Sequence, residues 1–393
     1  ESTSMNFEEA EHTTQLRDMV RRFLDKEMPR ALARELDQRA AYSPEVFAKL
    51  CQLGVTGLTV PEEYGGTGVD IVSAVVVIEE LAKRGTSLAG PFIHCAFYGS
   101  MNLLENASEE QKRTYLPRLA RGELLFAYGL SEPDVGGDLA SATVTGQRSA
   151  DGSKIIINGT KRWCTGARIA DLIYTLVRTG PKEDRYKNLS MVLVPTSAPG
   201  LGIVDIDQLG LRYSETTDVI FDNVEVDIAN LVGGPQRWNQ GWDMLVGRGL
   251  DVERLEITAV ALGLAAAAVD DAWRYAQERS QFGRKISAHQ AVRNMLVEAR
   301  TTLAACRHML YHAAWLATEG RDCSVESSMA KLFVGDNAVD IVLTCQRVLG
   351  AYGCAREYDM ERYVRDIVCM PIVGGSSNMQ KNNIAGRLGL PTR

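Results

Sequence analysis

The stretch "TVTGQRSADGSKIIINGTKRW", residues 143–163, decides the fold, because it reads with a period of two inside a largely helical chain. Thr143–Ser149 and Lys154–Trp163 read as two strands, and "ADGS" between them supplies the turn residues of a hairpin. "LIYTLVRTG" (172–180), "LSMVLVP" (189–195) and "DVIFDNVEV" (218–226) continue as strands between glycine, proline and aspartate breaks. Residues 123–232 are therefore expected to form a β domain, a small barrel or sandwich.

On either side the period is helical. In residues 5–122, "TQLRDMVRRFLDKEM" (14–28) and "SPEVFAKLCQLGV" (43–55) place apolar residues three and four apart, with Ser43 before Pro44 as cap and first turn. The glycine-rich "PEEYGGTGVD" (61–70) is a loop, and "IVSAVVVIEELAKRG" (71–85) is a helix apolar nearly all round, hence buried. In residues 233–393 helices are expected over roughly 239–278, 287–319, 324–352 and 359–389, joined by short connections as in a four-helix bundle. The fold class is α+β and multidomain: an N-terminal helical domain, a middle β-barrel domain and a C-terminal bundle.

Composition narrows the function. The 393 residues carry a net charge of -7, which argues against nucleic acid as the main partner. Eight scattered cysteines without a C-x-x-C pair read as reduced thiols, so a cytoplasmic location is expected. The segment "ESTS" reads as foreign to a native chain starting at Met5. The longest apolar run, "ITAVALGLAAAAV" (257–269), is too short to span a membrane.

"GLDVERLEI", residues 249–257, poses the chemical question. On a helix Asp251 shares a polar stripe with Arg248, Arg254 and Thr258. Glu253 falls beside Val246, Gly249, Leu250, Ile257 and Val260, a face apolar except for Glu256. Such a carboxylate is either a desolvated base of raised pKa or a charge at the stripe's edge reaching water.

Six stretches carry a resemblance: "VPEEYGGTG" (60–68), "YGLSEPDVGGD" (128–138), "NGTKRWCTG" (158–166), "LDVER" (250–254), "ERSQFGRKISAHQ" (278–290) and "MERYVRD" (360–366). In this order and at these distances the chain resembles the acyl-CoA dehydrogenase flavoproteins over nearly its whole length. The resemblance implies bound FAD. Tyr128, Leu130 and Ser131 would meet the flavin ring edge, Trp163 and Thr165 its dimethylbenzene end, and Ser376 and Asn378 further parts of the cofactor. Arg279, Gln281, Phe282 and Gln290 would reach the dinucleotide of a neighbouring subunit, implying a homotetramer built as a dimer of dimers. Arg347, where a glutamine is usual, and Gly350 would lie near the adenosine diphosphate part.

Most of that family carries its catalytic glutamate where this chain has Gly374, in "PIVGGSSNMQK" (371–381). A branch that includes isovaleryl-CoA dehydrogenase carries the base on the bundle helix instead, in a motif like "GLDLER"; here the matching residue is Glu253. By resemblance Glu253 takes the α-proton of an acyl thioester and the β-hydride passes to FAD, while the backbone N–H of Gly374 helps hold the enolate oxygen. Asp251 and Arg254 match residues near the thioester arm, and Gly137 replaces a serine that often contacts the thioester. Residues 94–104, "HCAFYGSMNLL", would line the acyl cavity, made bulky by His94, Tyr98 and Met101. The expected partners are an acyl-CoA or acyl-carrier-protein thioester and an electron-transferring flavoprotein. A same-fold flavin oxidase or monooxygenase is the rival reading.

Other candidates carry less. His308 and His312 in "HMLYH" share a helical face, but no third ligand is evident, so no metal is expected. "GAYGC" (350–354) follows a helix rather than a strand, and no Walker sequence or G-x-S-x-G elbow occurs.

Overall fold

The computed structural model describes residues 8–391; Met5 and the "ESTS" segment lie outside the described residues, as does the side chain of Arg248. The expected hairpin forms, with Thr145–Arg148 antiparallel to Lys154–Lys161 and Thr145 opposite Asn158. Its turn is fixed by the Asp151 carboxylate, which accepts hydrogen bonds from the Ser149 and Ser153 hydroxyls at 2.6 and 2.8 Å.

Around this hairpin grows one curled sheet of seven strands. Lys154–Lys161 pairs with the long strand Thr216–Asp227, with a register break between Ile157 and Gly159 that bends it. Leu172–Arg178 lies antiparallel to Leu189–Pro195 and parallel to Phe126–Gly129. The strand Leu201–Ile206, absent from the sequence reading, lies at the end of the strand order beside Thr216–Asp227. Ile155, Ile157, Ile173, Val192, Val219 and Phe221 form the core of this part.

Helices flank the sheet. Ser43 caps Pro44–Cys51 by accepting from the Val46 N–H at 3.3 Å. Ile71–Arg84 is buried, as its composition requires, yet it carries Glu79 and Glu80 inside. Charge pairing resolves this: Glu79 accepts from Arg17 (3.1 Å), Arg307 (2.9 Å) and Tyr311 (2.5 Å), and Arg17 also reaches Glu80. Buried carboxylates tied to arginines in this way clamp three helices, Glu11–Glu27, Ile71–Arg84 and Gln290–Thr318, into one arrangement.

Two expected helices are divided. The first separates at Gly247 into Gly241–Val246 and Arg248–Glu278. The last becomes Met360–Ile367 and Ser377–Arg387, because Pro371 and two glycines at positive φ, Gly374 and Gly375, cannot continue a helix. Arg248–Glu278 packs against both Ile71–Arg84 and Ser324–Leu349, which sets the direction in which its first turns point. Among the described residues no helix is long and apolar enough to cross a membrane.

Candidate active site

Glu253 and Glu256 lie on one face near the start of Arg248–Glu278. Glu253 is partly exposed, whereas Glu256 is sealed and neither of its carboxyl oxygens has a hydrogen-bond partner among the described residues. Burial pushes the Glu253 carboxyl up to about 7, against the opposing pull of Arg254 and Lys331. Burial, then the nearby Glu253 charge, raises Glu256 well above the carboxylate range. Asp251 differs from a solvated stripe residue: it is buried, and its two oxygens accept from Arg254 (2.5 Å) and from Ser324 (2.7 Å). The pair orients Arg254 and fastens this turn to the helix Ser324–Leu349.

A π-helical segment, His94–Met101, faces the two glutamates. Tyr98 stacks on Tyr128 with ring centroids 4.0 Å apart, and the Asn102 amide donates to the Tyr128 hydroxyl. Burial, with both glutamates close by, raises the Tyr98 and Tyr128 phenols well above their usual range. The His94 ring lies between the Phe126 carbonyl (2.6 Å) and the Tyr213 hydroxyl (2.7 Å), and burial lowers its pKa to about 4, so it is neutral.

Gly374 closes another side. It holds φ +61°, where residues with a side chain are strained, and a Cβ there would stand 3.8 Å from Cε of Lys331. The buried Lys331 donates to the Met370 carbonyl at 3.0 Å, and burial lowers its pKa to about 8.

The residues expected around a flavin separate into two groups. In the first, the turn after Phe126–Gly129 is pinned from below: Lys161 donates to the Leu130 carbonyl at 2.9 Å and to Glu132 at 2.8 Å, and the Ser131 carbonyl accepts from the Arg162 N–H at 2.9 Å. Trp163 stands beside it at φ +63° and 57% exposed, with Arg162 over its ring. Thr165 shares a hydrogen bond with Thr216 at 2.9 Å. Gly137 packs near Met379, whose N–H is capped by Ser376, and Asn378 is exposed on the same helix.

The second group sits at the far end of the bundle. Arg279 is the residue after Arg248–Glu278, roughly 40 Å from Glu253 at 1.5 Å per residue. Gln281 lies in a small hairpin with Phe282 at its tip, φ +53° and 93% exposed, while Gln290 opens the next helix. Arg279 lies over the ring of Tyr352, close to Arg347 and Gly350 at the end of Ser324–Leu349. Arg279 and Glu253 of one chain are thus too far apart to meet the same ring system.

Tyr213, Lys331 and the buried Glu132–Lys161 pair escaped the sequence reading. Each meets its partner across many residues of chain, and spacing gives no sign of such contacts.

Three family models cover the chain: acyl-CoA dehydrogenase N-terminal domain over residues 10–123, middle domain over 127–224 and C-terminal domain over 239–389. The chain belongs to the acyl-CoA dehydrogenase family, whose members are flavin-dependent oxidoreductases. It is 36% identical over 385 residues to the probable acyl-CoA dehydrogenase YngJ of Bacillus subtilis (strain 168), covering 98% of this chain and 100% of that one. The fold matches the butyryl-CoA dehydrogenase of Megasphaera elsdenii with a TM-score of 0.92 at 27% identity, over 98% of this chain and 100% of that chain. It also matches the prolyl acyl carrier protein oxidase AnaB with a TM-score of 0.90 at 29% identity, over 98% and 100% of the respective chains.

Proposed function

We propose that this chain is an FAD-dependent dehydrogenase that converts an acyl thioester to its trans-2-enoyl form, of the branch whose base lies on the bundle helix. The observation that carries this reading is Glu253, a carboxyl raised to about 7, one helical turn before Ile257, which fills the space a side chain at residue 374 would take. A base poised near neutrality can take a weakly acidic proton while still being ionised in an appreciable fraction of molecules.

The described residues fit FAD. The exposed indole of Trp163 offers a flat apolar surface, and the pinned turn at Leu130 and Ser131 presents backbone at a fixed position. The guanidinium groups of Arg279 and Arg347 suit phosphates, and Gln281, Phe282, Gln290 and Gly350 complete that end, with Ser376 and Asn378 on the opposite side. Bound there, FAD supplies a hydride acceptor for the β-carbon.

The chain does the rest. Glu253 receives the α-proton on a carboxyl oxygen, and Arg254 and Lys331 favour its ionised form beforehand. The N–H of Gly374 helps hold the thioester oxygen as it gains charge. Gly137 leaves room near the thioester, and Asp251 serves by holding Arg254. The separation of the two cofactor-facing groups supports a site completed by a second subunit, so at least a dimer; the homotetramer follows the family's dimer of dimers. Eight free thiols suit a cytoplasmic enzyme that passes electrons to an electron-transferring flavoprotein.

The match to a prolyl acyl carrier protein oxidase favours a second reading, a carrier-protein arm in place of coenzyme A and oxygen as acceptor. Anaerobic titration with acyl-CoA and acyl-carrier thioesters separates the carriers, and oxygen uptake during turnover separates the acceptors. A protein that neither holds FAD nor is bleached by any thioester contradicts the proposal.

A further inference from the structure

Glu256 has no use in the fold. It is fully buried, neither oxygen is hydrogen-bonded to any of the described residues, and a buried polar group without a partner destabilises the protein that keeps it. No donor among the described residues reaches it. Arg254 serves Asp251, Lys331 serves Met370, and the Asn102 amide serves Tyr98 and Tyr128. His94 fixes the direction of Tyr213: its Nδ1 faces a carbonyl and must carry the hydrogen, so its Nε2 accepts and the Tyr213 hydroxyl donates to it. The Tyr213 oxygen then has only lone pairs left to offer.

This arrangement is built into the chain. A Cβ on Gly90 would lie 2.5 Å from the Tyr213 ring, and one on Gly166 would lie 2.4 Å from Cε1 of His94. The two glycines make the space in which the rings stand. Glu253, Tyr98 and Tyr128 are partly exposed, whereas Glu256, Tyr213 and His94 are buried, so Glu256 lies behind Glu253 on the same helix face. The rings of Tyr98, Tyr128 and Tyr213 lie close to it.

We propose that the acyl group accepted by this chain carries a cationic nitrogen, which pairs with the Glu256 carboxylate among Tyr98, Tyr128 and Tyr213. The inference rests on the dehydrogenase reading, which places the acyl group against the helix face that carries Glu253 and Glu256. A cation supplies what the wall lacks: it draws the carboxyl, which burial and Glu253 otherwise hold protonated, into its ionised form, donates to its oxygens and is attracted by the ring faces. A neutral hydroxyl satisfies one oxygen and leaves the carboxyl protonated.

The test uses Glu253→Gln holoenzyme, which binds thioesters without turning them over, and two pairs of matched ligands. Prolyl-CoA is set against cyclopentanecarbonyl-CoA, and 5-aminopentanoyl-CoA against hexanoyl-CoA, by calorimetric titration. In at least one pair the cationic member should bind about tenfold to a hundredfold more tightly, the range of a charge-assisted hydrogen bond. Adding Glu256→Gln should abolish that preference while flavin absorbance and melting temperature show the fold intact. Neutral ligands binding as tightly in both pairs, or a preference that survives Glu256→Gln, overturns the inference. Flavin bleaching of the parent enzyme by hexanoyl-CoA without any cation preference defeats this inference alone. Absence of bleaching by all four thioesters defeats the dehydrogenase reading and this inference with it.

Discussion

A Cβ on Gly374 would stand 2.0 Å from Cδ1 of Ile257, the residue one helical turn after Glu253. The helix that carries the candidate base also fills the place where the commoner glutamate would begin. A side chain at residue 374 and the Ile257 side chain thus compete for one space.

Moving the base should therefore fail without further change. Glu253→Gly with Gly374→Glu meets Ile257 and places a side chain at φ +61°, a conformation costing about 1–2 kcal/mol. Flavin reduction by a good thioester is expected to stay near the level of Glu253→Gly. Adding Ile257→Ala should recover part of it. Full recovery in the double variant would show that Ile257 does not guard the position.

The pH dependence follows from the same carboxyl. Glu253 must be ionised to accept a proton, so the rate of flavin reduction should climb with pH to about 7 and then level. Stability should move oppositely. The unfolded chain releases this proton from about 4.5 and the folded chain only at about 7, so folding is weakened as pH rises between them. Glu253→Gln should make the fall in melting temperature across that window shallower, though Glu256 keeps part of it. An unchanged slope would contradict the assigned burial.

Much of this was legible in the sequence, and the remainder was hidden for identifiable reasons. The hairpin at 145–161 follows from its period and turn residues. The strand Leu201–Ile206 does not, because it pairs only with Thr216–Asp227, is nowhere fully buried and includes Asp205. Helical spacing put Glu253 and Glu256 together on one face. Spacing could not show that Tyr98 and Tyr213, from separate parts of the chain, surround them. The buried charges of Ile71–Arg84 likewise depend on Arg17 and Arg307, far away in sequence.

Assembly gives a third test. Phe282 is 93% exposed at the tip of a hairpin, and Arg279 beside it lies roughly 40 Å from the base. If both complete a neighbour's cofactor site, Arg279→Glu and Phe282→Ala should each speed loss of FAD on dilution and shift the assembly toward smaller species in light scattering. An FAD-saturated, active monomer would refute the shared site.

The measurement closest to the central claim is anaerobic stopped-flow reduction of the flavin in Glu253→Gln. Glutamine keeps the size and hydrogen bonding of the side chain but cannot take the α-proton, and a positioned general base contributes about 10²–10⁴-fold. Reduction by a good thioester should slow by at least that range with FAD content unchanged. Bleaching within about tenfold of the parent rate would show that Glu253 is not the base.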